Sequence, residues 1–336
     1  MNRLRILRAG LCSTVQDLGR PSFRDLGVPV GGAMDHVSHE LANRLVGNPA
    51  NAATIENTLT GDEIEFAKDS LIAITGAAMT PVLHCTGADP QPVAQNRPVS
   101  IPAGSRLCLQ SARRGCRSYL AIAGGINVPV VLESRSTVLH ASFGGHQGRM
   151  LAAGDDLPIG VLSSSNTEVL AYLSTLGQFV HPRWFVRTMD LPNSDVATLR
   201  IISATHTAQL MQSARTLLSE SEFRISSQSD RMGYRLVDQP LELEQRQELH
   251  SEGAVPGTIQ LPRDGNPILL MADCAPTGGY PRIGHVISAD LSLAAQLRPG
   301  QLVRFQMVTL EQAQHCCRHQ QQCLTKALAM VELISR

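Results

Sequence analysis

The chain has 336 residues, a formal net charge of +0 at pH 7, and 43% hydrophobic against 17% charged residues. At roughly 150 residues per domain this length points to two domains. The balanced charge leaves no field to gather nucleic acid or an anionic membrane surface, and the apolar content excludes a disordered chain.

The amino terminus (Met1-Asn2-Arg3-Leu4-Arg5-Ile6-Leu7-Arg8) has no continuous apolar stretch and no small-residue cleavage site, and no run of 18 apolar residues follows. The expected location is therefore cytoplasmic, with no membrane partner. In that setting the eight cysteines, which include no C-x-x-C pair, are expected as reduced thiols. A first helix is predicted after Asp35, with Val37, Leu41 and Leu45 on one face and Gly47-Asn48-Pro49 as its stop. Strands are predicted at 63–66, 71–75, 106–109 and 119–123. The polar stretch Leu162-Ser163-Ser164-Ser165-Asn166 reads as a loop, and the domain boundary is placed there.

The second half again reads mainly as strands, at 200–203, 222–226, 258–261, 268–272 and 302–308, with helices over 207–219 and 290–297. No βαβ rhythm appears, which disfavours a doubly wound sheet and favours barrels or curled sheets. Thr309-Leu310-Glu311-Gln312 has the pattern of a capping box. A terminal helix is predicted behind it, with Leu310, Ala313, Cys317, Leu324, Ala327, Leu328 and Val331 on one face. The expected organisation is a β-rich domain over 1–165, a second β-rich domain over 166–310 and a helix over 311–336, in a mainly β (α+β) class.

Of the 29 basic residues only Lys68 and Lys326 are lysines, and neither follows a glycine, which excludes a P-loop. Lys68 falls in a turn and Lys326 on the terminal helix, and neither position suits Schiff-base chemistry. Anions must be held by arginine or backbone N–H groups. Gly144-Gly145-His146-Gln147-Gly148 lacks dinucleotide-fingerprint spacing and reads as a turn. His315, His319 and Cys323 are four residues apart on the terminal helix, a spacing metal ligands use, but the surrounding glutamines favour a solvated face, so no metal is expected.

Two segments carry candidate chemistry. Gln228, Ser229, Asp230, Arg231, Gly233 and Arg235 follow a strand, and guanidinium forks there suit a carboxylate or phosphate. The plain alternative is a surface loop in which Asp230 pairs with an arginine. Asp273 to Arg282 leaves an apolar strand and presents Asp273, Thr277, Gly278, Gly279 and Tyr280. Adjacent glycines permit close backbone approach to a ligand; the alternative is a wide turn with Tyr280 packed on a neighbour.

Motifs along the chain resemble the biotin-dependent carboxyltransferase family, also described as allophanate hydrolase subunit 2 or KipA-like. They are 14–20 (Thr-Val-Gln-Asp-Leu-Gly-Arg), 31–35 (Gly-Gly-Ala-Met-Asp), 41–48, 119–126, 134–137 (Ser-Arg-Ser-Thr), 227–236, 256–262 and 277–283. The resemblance implies two linked β-rich subdomains, the second a cyclophilin-like barrel. It implies the C-type subunit of an ATP-dependent 5-oxoprolinase, which opens the lactam of 5-oxoproline to glutamate. It further implies a subunit 1 (KipI-like) partner, a LamB/YcsF-like subunit and ATP held jointly with them. Two other activities occur within the resemblance: biotin-dependent carboxyl transfer to urea or a similar amide, and non-catalytic regulation of a KipI-like partner. The implied substrate or anion contacts are Gln228, Ser229, Arg231, Gly233, Arg235, Thr277, Gly278 and Gly279, with Asp273, Asp230 and Tyr280 as catalytic candidates. Asp230 stands where the family pattern has Asn, and beside Arg231 it is expected to neutralise part of an anion clamp. Ala275-Pro276 replaces Gln-Thr, Asn57 replaces an apolar residue, and Val138 replaces Asp.

Overall fold

The computed structural model describes residues 2–174, 181–187, 191, 195–245 and 249–334. Two compact units share the chain. One comprises Met1–Gly19, Asp35–Leu191 and Leu324–Arg336; the other comprises Arg20–Met34 and Pro192–Cys323. The units thus part at residue 191, later than the boundary read near 165, and a short early segment joins the second unit.

The first unit holds strands β1 (Arg3–Arg8), β2 (Cys12–Gln16), β3 (Thr54–Thr58), β4 (Glu63–Phe66), β5 (Ser70–Ala78), β6 (Val82–His84), β7 (Gln91–Pro92), β8 (Pro98–Ile101), β9 (Arg106–Cys108), β10 (Arg114–Ile122) and β11 (Asp156–Pro158). Its helices are α1 (His36–Leu45) and α2 (Ser164–Ser174). One sheet runs β11-β1-β4-β9-β6-β7 and the other β2-β3-β10-β5-β8. Leu4, Ile6, Ile64, Phe66 and Leu107 of the first share a core with Val15, Ile55, Ile72 and Leu120 of the second. β1 and β4 alternate buried and exposed positions, as strands with one wet face do. β5 and β10 are buried almost throughout, because α1 packs on both of them. Asp35 caps α1 as expected, its carboxylate accepting from the Ser38 N–H at 3.0 Å.

Of the stretch 162–166, read as a loop, residues 164–166 instead open α2. Ser163 and Asn166 cap each other: Ser163 N–H donates to Asn166 Oδ1 at 2.7 Å, and Asn166 N–H donates to Ser163 Oγ at 3.2 Å. Loop-forming and N-capping residues are the same types, so composition did not separate the two outcomes.

The second unit holds β12 (Val196–Ile202), β13 (Glu222–Ile225), β14 (Gly233–Val237), β15 (Glu252–Gly253), β16 (Thr258–Gln260), β17 (Ile268–Leu270), β18 (Thr277–Gly278), β19 (Arg282–Val286) and β20 (Leu302–Met307). Its helices are α3 (Gln212–Glu220) and α4 (Ser288–Ala295), and α5 (Leu310–Ile334) ends the chain. Seven strands close a barrel in the order β12-β19-β16-β17-β14-β13-β20, while β15 and β18 form a separate two-stranded ribbon. Parallel pairing of β12 with β20, from Val196–Leu302 to Ile201–Met307, completes the closure. Phe223 and Phe305, centroids 5.6 Å apart, lie in a core with Leu199, Ile225, Ile259 and Leu269. The architecture is mainly β with a closed barrel and a terminal helix, as the sequence indicated.

The single helix predicted over 207–219 is broken. A 3-10 turn at Thr207–Gln209 ends at an extended Leu210, and α3 begins only at Gln212. Met211 N–H donates to Glu242 O at 3.0 Å, a tertiary bond that holds the break open. The predicted capping box of α5 is present, with Thr309 N–H donating to Gln312 Oε1 at 2.9 Å and Gln312 N–H to Thr309 Oγ1 at 3.2 Å.

Candidate functional site

The first candidate segment is the turn between β13 and β14. Ser229 N–H donates to Ser226 O and Asp230 N–H to Gly233 O, both at 3.2 Å. Ser229 Oγ accepts the Arg235 N–H at 3.1 Å. Asp230 Oδ1 accepts the N–H groups of Met232 (2.8 Å) and Gly233 (3.3 Å). Both side chains therefore shape the turn. Gly233 leaves no room for a side chain, since a Cβ there would lie 2.9 Å from Ile268 Cγ2. Gln228 and Arg235 are exposed.

Arg231 turns the other way and is 5% exposed. Its Nε donates to Asp273 Oδ2 and its Nη2 to Asp273 Oδ1, both at 2.9 Å. Nη2 also donates to Gly32 O at 2.5 Å. The expected neighbourly pairing of Asp230 with Arg231 is thus corrected: Asp230 bonds the backbone, and the fork of Arg231 closes on Asp273. The reason is register. Asp273 N–H donates to Arg231 O at 2.9 Å and Met271 N–H to Met232 O at 3.0 Å, which sets the two side chains side by side.

This pair anchors the segment 20–34. Gly31 (φ 65°) and Gly32 (φ 87°) take left-handed conformations that aim the Gly32 carbonyl at the guanidinium, while Gly31 N–H donates to Ala272 O at 3.1 Å. Arg24 Nη2 donates to Ala254 O at 2.7 Å. Neighbouring Cys274 is buried, which pushes its thiol up to about 11 and leaves it a poor nucleophile.

The second candidate segment opens after this anchor. Thr277 and Gly278 form β18 and pair with Gly253 and Glu252 of β15. Tyr280, 47% exposed, and Gly279 border an open groove of about 680 Å³, together with stretches 240–243 and 261–265. Glu242, Arg263 and Asp264 supply its charges, two acidic and one basic. Beside the groove, Arg282 is engaged by Glu252, by Gly253 O at 3.2 Å and by Thr205 Oγ1 at 3.3 Å. The structure therefore joins Arg231 with Asp273, and Gly279 with Tyr280, and leaves Gln228 exposed on the turn and Arg235 exposed on β14. Arg282 and Gly32 were not singled out from sequence, although both lie within the quoted motifs.

Motifs of the first unit prove to be polar hubs. Asp17 accepts from Ser134 Oγ at 2.6 Å, from Ser136 Oγ, from Arg135 N–H at 2.5 Å and from Gly19 N–H at 2.8 Å, which ties the 14–20 motif to the 134–137 motif. Asn48 bonds Asn43, the Ile122 carbonyl, Gly124 N–H and Asn166, joining 41–48 to 119–126. Tyr119 Oη donates to Glu56 at 2.7 Å and is held protonated, burial being the main cause. His39 is fully buried between Thr54 and Asn43, and burial lowers its pKa to about 4. Asp62, buried beside Ser13, is pushed up to about 6 by the same cause. Among the described residues no cluster of His, Cys, Asp or Glu could hold a metal ion, and no helix is long and apolar enough to cross a membrane.

Residues 26–307 match the carboxyltransferase domain, subdomain A and B. The chain belongs to that family. It is 39% identical to the C-type subunit of Escherichia coli 5-oxoprolinase over 95% of both chains. It is 36% identical to the protein of the same name in Haemophilus influenzae over 90% of both. Among solved structures it resembles Kluyveromyces lactis urea carboxylase with a TM-score of 0.84 at 25% identity, over 97% of this chain and 29% of that one.

Proposed function

We propose that this carboxyltransferase-family chain is the C-type subunit of a cytoplasmic 5-oxoprolinase, acting with partner subunits to open the lactam of 5-oxoproline to glutamate. The observation that supports it most is the 39% identity, spread over 95% of both chains, to a protein named as that subunit. The partners in this reading are a KipI-like subunit 1 and a LamB/YcsF-like subunit.

The chain's own residues do not fit a complete triphosphate cradle. No lysine follows a glycine, and Arg231, the buried arginine of the candidate anion site, is closed on Asp273. ATP, which would supply the driving force for opening a stable amide, is accordingly assigned to the complex. This subunit's contribution is to bind and orient the cyclic amide, so that its carbonyl is held still while the partners act on it. The likeness to urea carboxylase supports a second reading, carboxyl transfer from biotin to urea or a related amide. Co-expression with the partner subunits and an assay of 5-oxoproline-dependent ADP release test the first reading. ADP release without 5-oxoproline dependence, together with carboxylation of urea when a biotin carrier is added, would replace it with the second.

A further inference from the structure

The groove in the second unit carries a backbone edge that the fold leaves unused. Leu243, on its 240–243 wall, faces Leu210 across an isolated antiparallel bridge. The bonds of that bridge belong to neighbouring residues: Met211 N–H donates to Glu242 O at 3.0 Å and Glu244 N–H to Gln209 O at 2.8 Å. The N–H and C=O of Leu243 therefore point to the other edge of the stretch. Leu241 shares that edge and donates its N–H there to Gly265 O at 2.8 Å, but Leu243 meets no backbone partner among the described residues. The main chain of Gly279 and Tyr280, on another wall, is likewise unbonded among them. Leu249, Leu261, Pro262 and Pro281 give the groove an apolar lining. Its two carboxylates have no cationic partner among the described residues. Glu242 is exposed and makes no ion pair, and Asp264 accepts only from Asn266, at 3.1 and 3.2 Å.

We propose that the groove docks an extended segment of the subunit 1 partner. The segment adds as a strand along Leu243, sets alternate apolar side chains against Leu249, Leu261 and Tyr280, and brings a lysine or arginine to Glu242 and Asp264. Strand addition takes its affinity from main-chain hydrogen bonds and its specificity from pockets for every second side chain. The Leu243 edge offers the first and the apolar lining offers the second. An exposed edge beside apolar surface is a liability for a chain that acts alone and a template for one that assembles. The uncompensated carboxylates set the sign of the charge the segment carries, because like charges are strongly repelled at an interface. The identity of the partner rests on the proposed function; the strand-addition geometry does not.

The test uses the full chain and subunit 1, each purified alone and as the co-expressed complex. In the complex, hydrogen exchange of the Leu243 amide should slow at least about tenfold relative to the free chain, because the N–H then has a partner. Glu242→Lys and Tyr280→Ala should each raise the Kd for subunit 1 at least about tenfold, the first most strongly at low salt. Both side chains are exposed, so the melting temperature of the isolated chain should stay put. Equally fast Leu243 exchange in the complex, no association with subunit 1, or unchanged affinity in either variant would overturn the proposal. So would protection of Leu243 that appears in the chain alone as its concentration rises, which would assign the edge to a second copy. If Leu243 is protected and affinity depends on Glu242, but the complex shows no 5-oxoproline-dependent ADP release, the 5-oxoprolinase reading falls and the docking edge stands. ADP release from a complex with Leu243 unprotected keeps that reading and removes the docking edge.

Discussion

Asp273→Asn is the sharpest probe of the Arg231 site. The substitution keeps the side chain's shape and one acceptor oxygen, but it sets an amide N–H against a guanidinium N–H and removes the charge opposite Arg231. The two side chains are 7% and 3% exposed, so solvent screening gives little relief. Breaking a buried pair in this way costs about 3–5 kcal/mol, because one charge is left uncompensated. Replacing both partners, with Arg231→Met and Asp273→Leu, removes that charge and should return the barrel to within about 2 kcal/mol of its starting stability, the remainder coming from the unpaired Gly32 carbonyl. Native-state hydrogen exchange of the β14 and β17 amides reads the barrel's opening free energy directly. The complex's turnover separates the roles: a structural latch loses activity in the single variant and regains it in the double, whereas an anion clamp is dead in both. A loss below about 1 kcal/mol in Asp273→Asn, or a double variant as unstable as the single, would refute the reasoning.

The remaining predictions concern titration and the turn. Asp62 has a folded pKa of about 6 against an ordinary 3.8, so the folded state loses stability as pH rises between those values and stays lower above 6, by about 3 kcal/mol. Asp62→Asn should therefore stabilise the first unit by about that amount at pH 8 and hardly at all at pH 4, measured by urea denaturation at both. His39 has the opposite sign: its pKa falls from 6.5 to about 4, so stability is lost as pH drops through that window, again by about 3 kcal/mol. His39→Asn should flatten that acid-side loss in the same titration, and an unchanged slope would exclude His39 as its source. Asp230→Asn should change stability by less than about 0.5 kcal/mol and leave turnover intact, since an Asn oxygen can accept the same two N–H groups. A large gain in activity from it would restore the view that Asp230 opposes an anionic substrate.

Much of the candidate site was visible as motifs and little of it as geometry. The pairing of Arg231 with a carboxylate was foreseen in kind, but Asp230 is its chain neighbour, whereas Asp273 lies 42 residues away. Nothing local favours the distant partner until β14 and β17 align.

Periodicity and capping chemistry are local, which is why the sequence by itself determined α1 behind Asp35, the capping box of α5, the strands β4, β5, β9, β10, β12, β13, β16, β17 and β20, the mainly β class and the absence of a P-loop. What only the tertiary structure decided depends on contacts between distant segments: closure of the barrel by the parallel β12–β20 pairing, the break at Leu210, the helix beginning at Ser164, the inclusion of 20–34 in the second unit, and the identity of each ionic partner. Those outcomes turn on which hydrogen-bonding groups meet once strands are in register, and a carboxylate or carboxamide bonds whatever register places within about 3 Å of it.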